Sequence, residues 1–524
     1  MTLLHFLREL PLVWFLLGCV LAGSGVALSR ILSPGEASRW LWGTALTAGA
    51  VVICAYLAVT LYSLHCFVLQ LDEANILSVS AAALRGLPMY QSPWSPESSY
   101  SLMYGPITFL IYRLALVMGG VDHFWIIRCF VVTANLGLCA ALYRLLRKFV
   151  SPGAAVALLT FPLSILLQHT EDSLSARSDI WIILFAALAI LCSYLEEELA
   201  AVFLTGIMGS LIVDLKITAA PAIFFPLLIL YRKFGWRASA GTVLIMTTGA
   251  LAPFALHNIS LHNYVAWIFY MRSEGVTAAS LRLNLLFTLF LVAPCVLMEV
   301  FLRRFGRSFR QRLPEFLVLL LCLLLALLTS KAGSDPHYFW HIVPSIVVYL
   351  AIAFRDFKGP ADGDRVVPVY LIAVACALFA CVNLPRAWQQ LKLSRMPHGL
   401  GAAQQAIHRY LSIYGDRSSI QMGYGSAAWD YRSELRYILV YRGQPYTIEG
   451  NTGRFETRLL PFPIDVLRRM EHCRDDVWLV PHAQAPFDLW VLPDSLRSVF
   501  LANYSIDQTD GIYDAWTCSR GRSH

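Results

Sequence analysis

Charge is what this 524-residue chain has least of. Asp, Glu, Lys and Arg together make up 14% of it, against a hydrophobic share of 57%. A soluble domain carries roughly 25% charged residues, so a soluble enzyme with one anchor is excluded and a polytopic membrane protein is implied. Common signatures of nucleotide and metal chemistry are missing as well: there is no GxxxxGK[ST], no GxGxxG, no CxxC and no zinc-ligand spacing. No nucleic-acid-binding motif occurs, and no nucleic-acid partner is expected. The net charge of +7 therefore reads first as a topology signal, because Lys and Arg collect in cytoplasmic loops. Ten of the 12 cysteines lie in apolar segments, where Cys behaves as a small hydrophobe. Cys473 and Cys518 lie in a polar tail; they either pair, in an oxidising compartment, or remain two free thiols.

What the chain does have is apolar runs long enough to span a bilayer. They fall near 10–28, 40–69, 124–143, 153–169, 179–195, 199–213, 217–231, 239–256, 283–302, 314–330, 339–354 and 366–383. The first reads as an uncleaved span, although Leu16-Leu17-Gly18-Cys19 faintly resembles a lipoprotein cleavage box. Four basic clusters lie between spans: Arg144, Arg147 and Lys148; Arg232, Lys233 and Arg237; Arg303 to Arg312; and Arg355, Lys358 and Arg365. Placing all four inside puts the turns near 170–178, 214–216, 257–282 and 331–338 outside, together with everything after Asn383. Tyr104–Gly120 is apolar but short and contains Arg113. If it crossed, every later loop would flip, so it reads as a helix lying at the interface.

The domain expectation follows. Residues 1–384 form the membrane part, with a long outer loop, 72–123, that contains a helix near 72–86 and a polar Pro/Ser stretch at 91–101. Residues 385–524 form a small α/β domain, with strands at IQMGYG (420–425), PYTIE (445–449) and VWLVP (477–481) and helices near 427–441 and 464–472.

Polar residues converge on the outer turns. Asp72 and Glu73 directly follow some thirty residues without a charge. Tyr104-Gly105-Pro106 opens the interfacial helix, HTEDSLSARSD holds Arg177 and Asp179, VDLKIT holds Lys216, and the last turn holds Lys331, Ser334, Asp335, His337, Tyr338 and His341. Arg128 lies near the start of a span, a rare position for a cation. A carboxylate at a lipid boundary can act as a general base, and Arg and Lys beside it suit an anionic phosphate. Plainer readings exist for each. Asp72 and Glu73 suit a helix N-terminus, Arg177 with Asp179 can be a surface ion pair, and Gly-Ser-Asp-Pro is ordinary turn chemistry. His337 and His341 are four apart, but no third ligand accompanies them in the pattern. No cofactor is therefore assigned, and a divalent metal stays open.

The order of these motifs resembles the GT-C glycosyltransferases, in particular the protein O-mannosyltransferase and aminoarabinose-transferase group. The resemblance rests on the acidic pair after a span, Tyr104-Gly105-Pro106, Ala176-Arg177-Ser178-Asp179 and Lys331-Ala332-Gly333-Ser334-Asp335. It implies a polytopic α-helical protein of about twelve spans in the plasma (inner) membrane, with the α/β domain outside. It further implies transfer of a sugar, with inversion, from a polyprenyl-phosphate donor to an extracytoplasmic glycan, lipid or protein. In that reading Asp72 is the base with Glu73 beside it. Tyr104, Arg128, Arg177, Asp179, Lys216, Lys331, Ser334, Asp335, His337, Tyr338 and His341 contact substrate. The chain departs from the family by an extra leading span and a shorter tail. A lipid-linked-sugar flippase, or a ligase or polymerase using a diphosphate-linked donor, is the alternative.

Overall fold

The computed structural model describes residues 11–29, 31, 33–68, 71–93, 104–272, 276–304, 309–328, 330, 336–357, 362–415, 419–427, 430–446, 464–488, 492 and 494–519. Within them, eight helices are long and apolar enough to cross a membrane, and five shorter apolar helices accompany them. One of the five is Pro106–Gly119, the segment read as interfacial; the other twelve coincide with the twelve apolar runs.

The bundle is packed on close backbone approach. The long helix Asp362–Leu393 runs against Pro34–Tyr62 and Pro11–Ser29. At Gly18 a β-carbon would lie 2.6 Å from Ala375 Cα, so only glycine allows this crossing. Small residues at helix contacts replace the hydrophobic drive that lipid removes. Pro34 sits in the first turn of its helix behind a capping box, in which the Glu36 carboxylate accepts from the Ser33 backbone at 3.2 Å. At the centre, nearly all of the span Pro336–Asp356 is buried.

Two spans that carry site residues do not begin as α-helix. Ile217–Ile223 and Pro336–Ile342 are 3-10 turns continued by the α-helices Phe224–Phe234 and Val343–Asp356. Proline is the local cause: Pro221, Pro226 and Pro344 lack the N–H that an α-turn would donate four residues back. In a 3-10 turn, residues i and i+3 eclipse, which puts Tyr338 and His341 on one face.

The C-terminal part contains a four-stranded sheet. β1 (Ile420–Met422), β2 (Val477–Pro481), β3 (Tyr504–Thr509) and β4 (Tyr513–Cys518) lie in the order β1-β2-β4-β3. β1 pairs parallel to β2, and β4 pairs antiparallel to both β2 and β3. The expected strands at 420 and 477 are present, as is the helix Ile464–Glu471. PYTIE is not seen as a strand: Pro445 and Tyr446 are irregular, and 447–449 lie outside the described residues. Cys473 and Cys518 form a disulfide, which ties the end of a helix to β4. The boundary expected at 384 falls inside a continuous helix that carries Pro385 and ends at Leu393.

The sheet domain and the membrane part share a core. Ile76, Leu77 and Val79 pack with Phe109 and Tyr112, and also with Ile407, Tyr437, Ile438 and Val440. The backbone joins them as well, since Phe67 N–H donates to Ser394 O at 2.8 Å and Met396 N–H to His65 O at 2.9 Å.

Candidate active site

The site is built around the helix Leu71–Leu84, whose first turn carries Asp72 and Glu73. Adjacent residues on an α-helix point about 100° apart, and the two carboxylates meet different surroundings. Glu73 is fully buried. Arg128 grips it in a fork, Nη1 to Oε1 at 2.7 Å and Nη2 to Oε2 at 3.0 Å, and the Ala176 backbone N–H donates to Oε1 as well. Arg128, also fully buried, spends its other N–H groups on the carbonyls of Cys66, Phe67 and Leu174. Its donors are turned onto the protein, where it fastens the helix to the loop before Arg177.

Asp72 is different. Its side chain keeps 22% exposure, against 7% for Asp172 and 4% for Asp179. The Tyr104 hydroxyl lies 3.4 Å from Asp72 Oδ2, and Arg177 Nη2 lies 3.7 Å from the same oxygen. Burial holds the Tyr104 phenol well above its ordinary value, against the pull of Arg177 and with Asp72 and Asp179 adding to it. The phenol therefore stays protonated and donates.

Arg177 is the hub. Nε donates to the Tyr104 oxygen at 3.0 Å and lies 3.2 Å from Asp179 Oδ2; Nη1 is 2.6 Å from Asp172 Oδ1, and Nη2 is 3.2 Å from His337 Nε2. Lys216 continues the chain, with Nζ 3.4 Å from Asp179 Oδ1 and 3.7 Å from the centre of the Tyr338 ring. Local sequence explains how these groups meet. Asp179 starts one span, Lys216 ends another in extended backbone (φ −164°, ψ 113°), and the 3-10 turn brings His337, Tyr338 and His341. Tyr104 is delivered by Gly105, where a β-carbon would lie 1.7 Å from Asp214 O, and by a bond from Gly105 N–H to Leu215 O at 3.0 Å. Pro106 then opens the helix.

A narrow crevice with a free volume of about 10 Å³ lies among Asp179, Lys216, Thr218, His337, Tyr338 and His341. The site thus places a partly exposed carboxylate beside Arg177, which is joined through Asp179 to Lys216 and the crevice. Among the described residues, no group of three or more His, Cys, Asp or Glu is arranged to hold a metal ion.

Neither a family model nor a curated protein matches the sequence. The architecture does match solved structures. ArnT from Cupriavidus metallidurans bound to undecaprenyl phosphate superposes with a TM-score of 0.54 at 12% identity, over 89% of this chain and 97% of that one. The same protein in the apo state gives 0.51 at 11% identity over the same shares. The chain has the GT-C fold.

Within this GT-C fold the structure gathers Asp72, Tyr104, Arg177, Asp179, Lys216, His337, Tyr338 and His341 into one region. Lys331, Ser334 and Asp335 lie outside the described residues. Asp172, in the same HTEDSLSARSD turn, was given no role from sequence, although it bonds Arg177 and lies 4.0 Å from His337 Nδ1. Its signal was its position in the same short turn, five residues before Arg177. The Arg128–Glu73 pair had no local signal, because 55 residues separate its partners.

Proposed function

We propose that this chain is an integral-membrane glycosyltransferase that moves a sugar from a polyprenyl-phosphate donor to a hydroxyl of an extracytoplasmic acceptor, inverting the anomeric centre. The observation that carries the reading is the contrast among the acids at the head of the Leu71–Leu84 helix and around Arg177. Asp172 and Asp179 are neutralised by Arg177 and Lys216, Glu73 is sealed by Arg128, and Asp72 keeps an open side. The GT-C fold, shared with a protein solved with undecaprenyl phosphate bound, supports the donor class.

Asp72 accepts the proton of the acceptor hydroxyl as its oxygen bonds to the anomeric carbon. The bond from that carbon to the phosphate oxygen breaks, and its electron pair leaves on the polyprenyl phosphate. Attack opposite the leaving group inverts the centre in one displacement. In this reading Lys216 and Arg177 meet the phosphate as it gains negative charge, and such preorganised cations stabilise the departing group. Tyr104 and Glu73 act on Asp72 by orientation, one through its hydroxyl and one through its anchored helix.

A glycan, a lipid or a protein supplies a suitable acceptor hydroxyl. The outer face follows from the four basic clusters being cytoplasmic, and the Cys473–Cys518 bond suits an oxidising compartment such as that outside the plasma membrane. The test is transfer of radiolabel from a polyprenyl-phosphate sugar by protein reconstituted in vesicles. Lys216→Ala raises the donor KM about 10- to 100-fold, because hydrogen bonds to charged groups contribute about 1.5–3 kcal/mol. An unchanged KM removes Lys216 from the phosphate site.

A further inference from the structure

The helix that carries Asp72 is held from two sides. Arg128 grips Glu73 on one side. On the other, the sheet domain reaches Asn75, one helical turn beyond Asp72. Asn75 is fully buried, and its Oδ1 accepts two bonds, from Arg436 Nη1 at 3.1 Å and from the Tyr446 hydroxyl at 3.1 Å. Both donors belong to the C-terminal domain, more than 360 residues away in sequence.

Arg436 is itself fixed by that domain. Its side chain is 4% exposed. Nη2 pairs with Glu434 Oε1 at 3.1 Å, Nε donates to Ser433 O at 3.2 Å, Nη1 donates to the Tyr424 hydroxyl, and the guanidinium lies over the Tyr424 ring at 4.7 Å. The planar fork meets four partners at once, which an ammonium cannot do. Around it, Tyr437, Ile438 and Val440 of the short helix Arg436–Tyr441 pack against the face of Leu71–Leu84 that holds Ile76 and Val79. The contact is therefore a polar peg set in an apolar seam, and an apolar seam alone would tolerate sliding. Asp72 and Asn75 are three apart on one helix, so a shift at Asn75 moves Asp72 with it.

We propose that Arg436 and Asn75 form a positioning pair, through which the C-terminal domain sets the rotation and axial position of the Leu71–Leu84 helix and thereby the aim of Asp72. This rests on the transferase reading above. Neither residue touches substrate; both act through the helix. The domain is then part of the catalytic apparatus and not only a platform for acceptors.

The test uses the full chain in nanodiscs, with Arg436→Gln, Asn75→Ala and the double variant. Each single variant speeds amide exchange over 71–84 by about tenfold while leaving 343–356 as in wild type. Each lowers kcat by about 10- to 100-fold with the donor KM within about twofold, the size of effect a displacement near 1 Å has on a reacting group. The double variant is no worse than the worse single, because both break one link. Arg436→Lys falls between wild type and Arg436→Gln. Unchanged exchange over 71–84, an unchanged kcat in either single variant, or effects that multiply in the double variant would overturn the pairing. If Arg436→Gln unfolds the domain, Asn75→Ala decides, since it leaves the bonds of Arg436 to Glu434, Ser433 and Tyr424 in place. If wild type moves no sugar, the transferase reading falls, and the exchange measurement still decides whether the pair holds the helix.

Discussion

Arg128 and Arg177 are both buried arginines near the head of the same helix, and they do different work. Arg128 bonds one carboxylate and three carbonyls; Arg177 bonds carboxylates, a phenol and an imidazole. Sequence shows two arginines near span starts and cannot tell them apart, because the distinction lies largely in distant partners such as Leu174 for Arg128, 46 residues away, and His337 for Arg177, 160 residues away. The same limit applies to Asp72 and Glu73. Their adjacency is visible in the sequence, whereas which of the two stays partly exposed depends on how the helix is rotated by its contacts. Removing one member of a buried ion pair costs about 3–5 kcal/mol, because the other charge is stranded. Arg128→Met therefore lowers unfolding stability by about 3–5 kcal/mol, measured by chemical denaturation in detergent, whereas Arg113→Met, on the half-exposed side of its helix, stays within about 0.5 kcal/mol of wild type.

At the scale of elements, the twelve apolar runs were legible because a bilayer demands some 20 apolar residues per helical span. The helix Pro106–Gly119 was legible for the opposite reason: it is too short and would invert the charge bias. The 3-10 openings of two spans were not read from sequence, although the prolines that cause them stand in it. β3 and β4 were missed as well. Ser505, Asp507 and Gln508 interrupt the apolar pattern of β3, where the ladder is irregular between Ile506 and Gln508, and β4 is an inner strand with three buried residues in succession. The Cys473–Cys518 bond closes a loop of 45 residues and holds β4 to the helix before β2. Replacing both cysteines by serine costs about 2–4 kcal/mol in the sheet domain, seen as a lower melting temperature; an unchanged melting temperature would mean that the domain does not depend on the bond.

For the whole molecule, charge counting predicts a sidedness that the packing then uses. The turns assigned to one side, near 72, 177, 216 and 337, meet in a single cluster. Turns scattered over both faces of a bundle could not do so. Fused reporters test this directly: one placed after Asn383 reads outside and one after Arg312 reads inside, and the reverse pattern would remove the topology. What sequence could not convey is how far the tail is integrated. Residues 385–524 read as a separate domain, yet they share a hydrophobic core with the helix that carries Asp72. That core is made from residues more than 300 positions apart, a separation at which no local pattern carries information.

The central claim is that Asp72 is the base of a sugar transfer at the membrane boundary. It is tested by the single-turnover rate of Asp72→Asn with a radiolabelled polyprenyl-phosphate sugar, in protein whose melting temperature matches wild type. General-base catalysis contributes about 10²- to 10⁴-fold, so the rate falls by that factor while donor binding persists. Transfer by Asp72→Asn at the wild-type rate would contradict the account.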